Sequence, residues 1–453
     1  MRRIVALGIA GLALLASGSI ARPDTSQAPL RLERAKTGDL LLGIVQQNGT
    51  SKLASIDPRS LRPLRTRRVD APGVWTWGFS PNRSRVVLGL SRSGRTLPRS
   101  SLRFVHVRSM RAVADVPLGV GGLNHLAWLS SNRVLVLKHL CCSGTFDLLV
   151  VAPYARRVLV RKTLEGEPLV AESTQKELVV LAAPPQGIGP SRLLVVDARG
   201  GVRSVELGHI WGGREVPDEA EPFVARHRYP ALTVDPQGRR AFVVSTDGSV
   251  ASVELTSLAV AYHTPSEPRS LLGRLRNWLE PDAQAKASDG PRRYAVWLGS
   301  GLIAVTGSDD HAFTGAYGAL SMRTDPAGLS LIDSNSWIAR RIDDSVSHVS
   351  RTGNLLVATG YRSDSSTQRE GGYGLAGYTL DGSKRFHVFK DTHLTQLRIY
   401  GTRAYVGLNG TVRVGGAHVR LDDGSAFKTV DLETGQIIDT RTRPLPILLL
   451  DER

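Results

Sequence analysis

Thiols are almost missing from this chain: Cys141 and Cys142 are the only two in 453 residues. They are adjacent, so the one disulfide they can form with each other is a vicinal one. Long apolar runs are scarce too. Beyond Ala16 no segment has the ~20 uninterrupted apolar residues of a transmembrane helix, so no later span is expected. The motifs of common catalytic chemistry are absent, with no H-E-x-x-H, no G-x-S-x-G nucleophile elbow and no P-loop. Lys and Arg total 58 against 41 Asp and Glu, yet no basic run of the kind that tracks a nucleic-acid backbone occurs. Nucleic acid is therefore not an expected partner.

What is present suits a large folded domain. The chain is 41% hydrophobic and 6% aromatic, with charge too interspersed for disorder. At the start, Met1-Arg2-Arg3 is a positive region before the short apolar run Ile4 to Ala16, and Ser19-Ile20-Ala21 places small residues where a signal peptidase reads. A lipoprotein signal would need Cys where Ser17, Gly18 and Ser19 stand. Residues 1–21 are expected to be a signal peptide, 22–38 a lead segment and 39–453 one domain, in a product that is secreted, periplasmic or held in the cell envelope. An uncleaved anchor is the alternative. Losing Arg2 and Arg3 lowers the formal charge from +17 to +15. Such a surface is either simply solvated or weakly attracted to anionic envelope polymers.

One stretch sets the pattern for the rest. Between Tyr229 and His263 lie four short strand-like runs: Ala231-Val234, Arg240-Val244, Val250-Leu255 and Leu258-Tyr262. Asp235-Pro236-Gln237-Gly238 supplies a turn between the first two, and Thr246-Asp247-Gly248 a hairpin signal between the next. Four strands in a meander make one propeller blade. The pattern recurs with inner strands at Trp75-Gly78, Leu123-Trp128, Pro168-Ala171, Ala231-Val234, Tyr294-Leu298, Val346-Val349, Leu394-Ile399 and Leu445-Leu450. Third strands recur in step from Leu53-Asp57 to Phe427-Asp431. The spacing lies at or above the ~40–50 residues of known blade repeats. The expected fold is all-β, a single closed β-propeller of four-stranded blades, eight favoured over seven. Asp39 to Arg67 reads as three strands without an inner one, so the C-terminal strand should complete that blade and close the ring. A capped solenoid is the structural alternative.

Phe79-Ser80-Pro81-Asn82-Arg83-Ser84-Arg85-Val86-Val87 and Val234-Asp235-Pro236-Gln237-Gly238-Arg239-Arg240-Ala241-Phe242-Val243 resemble the strand-turn-strand signatures of secreted bacterial YVTN-type and WD-type propellers. That resemblance implies a fold and no single activity, because the superfamily holds enzymes, ligand sensors and scaffolds.

Insertions point to a face. Connections from second to third strand and from fourth strand to the next inner strand emerge on one side of a propeller. Nearly all the long ones are of these kinds: Gly208–Arg228, His263–Arg293, Ser308–Gly328, Arg362–Gly374 and Asn409–Ala426. Turns of the opposite side are tight, and elaborated loops on a rigid scaffold are where binding is expected. Within His263–Arg293, Leu271, Leu272, Leu275, Trp278 and Leu279 form one stripe of a short helix, Ser270–Glu280, ended by Pro281. It is expected to pack across the propeller mouth as a cover, or to act as a lid or partner-binding helix.

Polar chemistry collects in the neighbouring insertions. His209, Trp211, Arg226, His227, Asp309, Asp310, His311 and Tyr317 are the candidate ligand-binding residues, the two aromatic ones for stacking and the others for polar or metal contacts. No set of metal ligands is diagnostic, no cofactor is specified, and solvated loop charge is the plainer reading. Cys141 and Cys142, in His139-Leu140-Cys141-Cys142-Ser143-Gly144 on the same face, are expected to oxidise to a vicinal disulfide in an exported protein. PQQ-dependent alcohol dehydrogenases combine such a pair with an eight-bladed propeller, and Asp431-Leu432-Glu433-Thr434-Gly435-Gln436 is similar to the core of their blade motif. Those enzymes repeat the motif with a docking Trp in most blades, whereas here it occurs once. The functional expectation is an exported, monomeric, non-catalytic propeller that binds a ligand, an envelope polymer or a protein on its insertion-rich face. The alternative is a propeller enzyme, a PQQ-dependent oxidoreductase or a metal-assisted hydrolase or lyase.

Overall fold

The structure is a computed structural model, described here over residues 41–47, 49–64, 67–92, 98–139, 144–185, 187–215, 226–266, 288–314, 320–364, 369–392, 394–408, 410–414, 417–421, 427–441 and 445–450. The expected signal peptide, the Ser270–Glu280 helix, Cys141, Cys142 and Tyr317 lie outside those residues. No helix occurs among the described residues, and none is long and apolar enough to cross a membrane.

Among the described residues, eight antiparallel blade sheets follow one another along the chain, with one further two-stranded sheet inserted in the blade opened by Leu394. Seven are simple meanders in sequence order, opening at Val74, Gly122, Glu167, Ala231, Ser288, Val346 and Leu394. The eighth closes the ring. Its inner strand is Leu448–Leu450, which pairs antiparallel with Leu41–Gln47 through Leu42–Leu450, Gly43–Leu449 and Ile44–Leu448. Thr50–Ile56 and Val69–Asp70 complete that blade. Chain ends separated by the whole sequence therefore share one sheet, and the ring has no free edge at the seam.

The strand sequences follow from this geometry. A middle strand of a blade is covered on both faces by neighbouring blades, so it reads as a continuous apolar run, as in Arg133–His139 (RVLVLKH) and Glu177–Ala183 (ELVVLAA). An outer strand is covered on one face at most, and Arg157–Glu165 accordingly alternates between half-buried and exposed positions. The core is divided in the same way, into eight separate apolar clusters, each lying between two adjacent blades. In the closing blade Leu42, Ile44 and Leu450 pack toward the blade opened by Val74, while Leu41, Val45 and Leu449 pack toward Tyr405 and Phe427 on the other side. The period-2 alternation of one sheet thus cements both of its neighbours.

Polar contacts reinforce two of these seams. Lys138, almost fully buried, holds Asp147 at 3.3 Å and donates to the carbonyls of Leu118 and Val120 in the preceding blade. Between the blades opened by Ser288 and Val346, the Asp343 carboxylate accepts from the hydroxyls of Tyr373 (3.0 Å) and Tyr378 (2.6 Å) and from Lys384 Nζ (2.8 Å). Residues five apart in a strand would point to opposite sides. Here the pairing shifts between Gly360 and Tyr361, and this bulge opposite Tyr373 brings both tyrosines to one carboxylate.

Three of the long connections are folded into hairpins over their described residues. Ser308–Gly328 extends the second strand, Leu302–Thr314, into a hairpin with Leu320–Pro326. Arg362–Gly374 lengthens the hairpin of Leu355–Asp364 with Arg369–Thr379, and Gly410–Val414 with Ala417–Leu421 forms a separate two-stranded ribbon. All lie on the side expected from the sequence, because strands alternate in direction within each blade.

Candidate functional site

The connection leaving Val202–Arg214 does not pass directly to the next blade. It returns through His227–Arg228, which pairs with that strand through Gly213–Arg228 and Arg214–His227. Tyr229 then joins the inner strand two blades ahead: its N–H donates to the carbonyl of Pro291 (3.0 Å), and its carbonyl accepts from the N–H of Arg293 (2.8 Å). The result is a strap: Val202–Arg214 pairs with 227–228, Tyr229 forms an isolated parallel bridge to Arg292 in Ser288–Gly299, and that strand pairs in turn with Asp309 and Asp310 in Leu302–Thr314. It bypasses the intervening blade opened by Ala231, which is fastened beneath it by Arg293 Nη2 donating to the carbonyl of Thr246 (3.2 Å).

Gly290 makes the crossing possible. Its φ of +138° is one that L side chains rarely adopt, and a Cβ there would overlap the carbonyl oxygen of His227. Only a glycine lets the two backbones approach so closely at this point.

The strap sets the side chains. His227 Nε2 lies 3.4 Å from Asp310 Oδ2, and Thr324 donates to Asp310 Oδ1 at 2.8 Å. The His227 ring stacks on Tyr229 with centroids 4.7 Å apart, and the Arg292 guanidinium stands 4.8 Å from the Tyr229 centroid. Burial raises the Asp310 pKa, but the contacts with His227 and Thr324 and the charges of His227 and Arg292 outweigh it and hold this carboxyl below its ordinary range. Asp309 alternates to the other side of the strand, where Arg293 Nη1 donates to its Oδ1 at 2.7 Å. Each carboxylate therefore has its own basic partner, Arg293 for Asp309 and His227 for Asp310.

Of the residues singled out from the sequence, His227, Asp309 and Asp310 are brought together, with His227 in contact with Asp310. His209 lies apart, edge-on to Tyr262 at 4.6 Å. Trp211 is 47% exposed, and by the pairing register it shares a side of the sheet with Arg228, opposite His227. Arg226 is exposed, and its carbonyl accepts from the N–H of Glu215 at the root of the strap. His311 is placed by its backbone, which pairs with Ser288 and Arg323. Among the described residues no three His, Cys, Asp or Glu side chains converge to hold a metal. Sequence reasoning missed Tyr229, Gly290, Arg292, Arg293 and Thr324. The only local signal was Gly290-Pro291 followed by two arginines at the head of an inner strand.

No family model and no curated protein sequence matches the chain. Among solved structures, the chain is similar to dihydro-heme d1 dehydrogenase NirN, solved in complex with DHE, with a TM-score of 0.53 and 13% identity, over 90% of this chain and 75% of that one. BamB from Moraxella catarrhalis aligns with a TM-score of 0.43 and 12% identity over 80% of this chain and 92% of its own. Sqt1 of Saccharomyces cerevisiae aligns at 0.46 and 10% over 83% and 86%. This is an eight-bladed β-propeller. At these identities the likeness is one of fold alone, and the turns that resemble YVTN and WD repeats have no matching family behind them.

Proposed function

We propose that the protein is an exported, non-catalytic propeller that binds a ligand or partner on its insertion-rich face, in the sector bridged by the strap. The observation that supports this reading is the convergence of His227, Tyr229, Arg292 and Asp310 from connections of different blades, held by a backbone crossing that requires Gly290. A crossing that links two blades across a third gives rigid, polar and aromatic groups at one place, which is what recognition on a scaffold needs. Trp211, exposed beside the strap, offers a further stacking surface. Both acidic side chains already have a basic partner, Arg293 for Asp309 and His227 for Asp310, so the site offers fixed polar groups to a bound molecule.

A thermal-shift panel tests the proposal. PQQ, Zn²⁺, Ca²⁺ and soluble cell-wall glycan fragments are added to the purified protein, since a compound specific to the folded state raises the midpoint. A rise that disappears in His227→Ala supports the reading. Consumption of any panel compound by the protein overturns the non-catalytic part of it.

A further inference from the structure

The other face of the ring has a charge asymmetry that the strap does not use. The turns between first and second strands and between third and fourth strands all emerge there. In the first five blades along the chain, starting with the closing blade, each contributes at least one cation from these turns: Arg59, Arg108, Arg156, Lys176, Arg199 and Arg239 are all exposed. In the last three blades the same turns are Ser300-Gly301, Ser334 to Trp337, Gly353-Asn354, Leu380 to Ser383, Gly401-Thr402 and Leu432 to Gln436. They contain no Lys or Arg.

Carboxylates on the basic half are already occupied. Asp57 accepts from the N–H groups of Arg59 and Ser60, Asp197 from those of Arg199 and Gly201, and Asp235 from those of Arg239 and Arg240. Glu177 and Glu254 are paired with Arg203 (3.0 Å) and Arg240 (2.5 Å). Acids are thus consumed in shaping turns and in pairs at strand ends, while the turn cations point outward. Arg108, Arg156, Lys176 and Arg199 form no ion pair within 4 Å with another described residue, while the charge of Arg59 acts on Asp57 and helps to lower its pKa. Arg239 reaches Asp235 only at 3.9 Å, with its side chain 75% exposed. Tyr154, 60% exposed, sits among them with the Arg85 guanidinium 4.2 Å from its ring centroid.

We propose that this basic arc is a docking surface for an extended anionic glycan carrying carboxylate or phosphodiester groups. Cations spaced one blade after another around more than half of the ring match a flexible chain of regularly spaced charges, not a compact ion. A protein partner would need an anchor of clustered apolar side chains, and Tyr154 is an isolated one. Arginine, which dominates the arc, grips carboxylate and phosphate oxygens through two parallel N–H donors. The surface is distinct from the strap, and its occupation does not depend on the ligand proposed there.

Binding of the full chain to polygalacturonate and to poly(glycerol phosphate) tests this, with single-stranded DNA of matched charge and phosphatidylglycerol vesicles as competitors. The expected result is binding to at least one of the two polymers at about 50 mM salt that weakens by more than roughly tenfold at about 200 mM. Arg108→Glu/Arg156→Glu should lose about tenfold, and Arg108→Gln/Arg156→Gln less, in the order of charge removed. Lys162→Glu/Lys390→Glu, an equal change elsewhere, should bind as the wild type does. Equal loss in both Glu pairs, preference for DNA or vesicles over both polymers, or no binding at low salt overturns the proposal.

Discussion

His227 Nε2 lies 3.4 Å from Asp310 Oδ2, although the two residues belong to connections separated by a whole blade. Nothing local imposes that meeting. It follows from the strap, whose backbone pairs Tyr229 with the inner strand beyond the intervening blade.

The strap should fail at Gly290. Gly290→Ala places a Cβ against the His227 carbonyl at an unfavourable φ, so the crossing must open, at a cost of about 1–3 kcal/mol. Amide hydrogen exchange reads it directly: the N–H groups of Tyr229 and Arg293, both bonded across the strap, should lose protection while Val243 in the next blade keeps its own. Unchanged exchange at Tyr229 and Arg293 would mean that the crossing does not depend on this glycine.

Asp310 gives the strap a pH signature. Its folded pKa is depressed, so its contribution is present above the unfolded value of 3.8 and is lost as pH falls through and below that value. Asp310→Asn should cost about 1–2 kcal/mol at pH 7. Denaturant midpoints of the two proteins should converge toward pH 3, and a gap that persists there would assign the loss to something other than ionisation.

Much of the fold was legible because the ring builds itself from local repeats. The turns Ser80-Arg83 and Asp235-Gly238, and apolar runs such as Val134–Leu137, mark strands wherever they occur, and the missing inner strand before Leu41 points to the C-terminus. The strap was not legible in the same way. Gly208–Arg228 reads as one long loop because the partner of Tyr229 lies more than sixty residues on, and no periodicity records such a pairing. His209 and Trp211, read from the sequence as part of that loop, lie instead on the strand Val202–Arg214, one edge-on to Tyr262 and the other exposed. Side-chain direction in a bulged ladder depends on single residues, which pattern alone does not carry.

At the seam between the blades opened by Ser288 and Val346, Asp343→Asn should be among the more costly polar substitutions. Two buried tyrosine hydroxyls and Lys384 lose their shared carboxylate, an effect of about 2–3 kcal/mol by urea unfolding. Burial raises the Asp343 pKa, but the bonds from Lys384, Tyr378 and the Ser345 N–H bring it to about 2. Its contribution is therefore present at pH 5 and lost as pH falls from about 4 to about 2. Tyr373→Phe, which leaves Tyr378 and Lys384 in place, should cost less.

His125 acts in a different window. Burial lowers its pKa from 6.5 to about 4, so the unfolded chain binds a proton that the folded protein does not between those values. Stability should fall as pH drops from 6.5 to 4, by up to about 3 kcal/mol from this residue. His125→Leu should flatten that part of the stability–pH curve. If the slope between pH 6.5 and 4 is unchanged in the variant, His125 is not the buried neutral base.

Recognition at the strap is tested most directly by measuring, by titration calorimetry, the affinity of wild type, His227→Ala and Lys390→Ala for whichever panel compound raises the midpoint of the folded protein. The predicted result is a loss of about tenfold or more in His227→Ala, equivalent to about 1.4 kcal/mol, with wild-type affinity in Lys390→Ala. Equal affinities in all three proteins would place binding elsewhere on the ring and contradict the account.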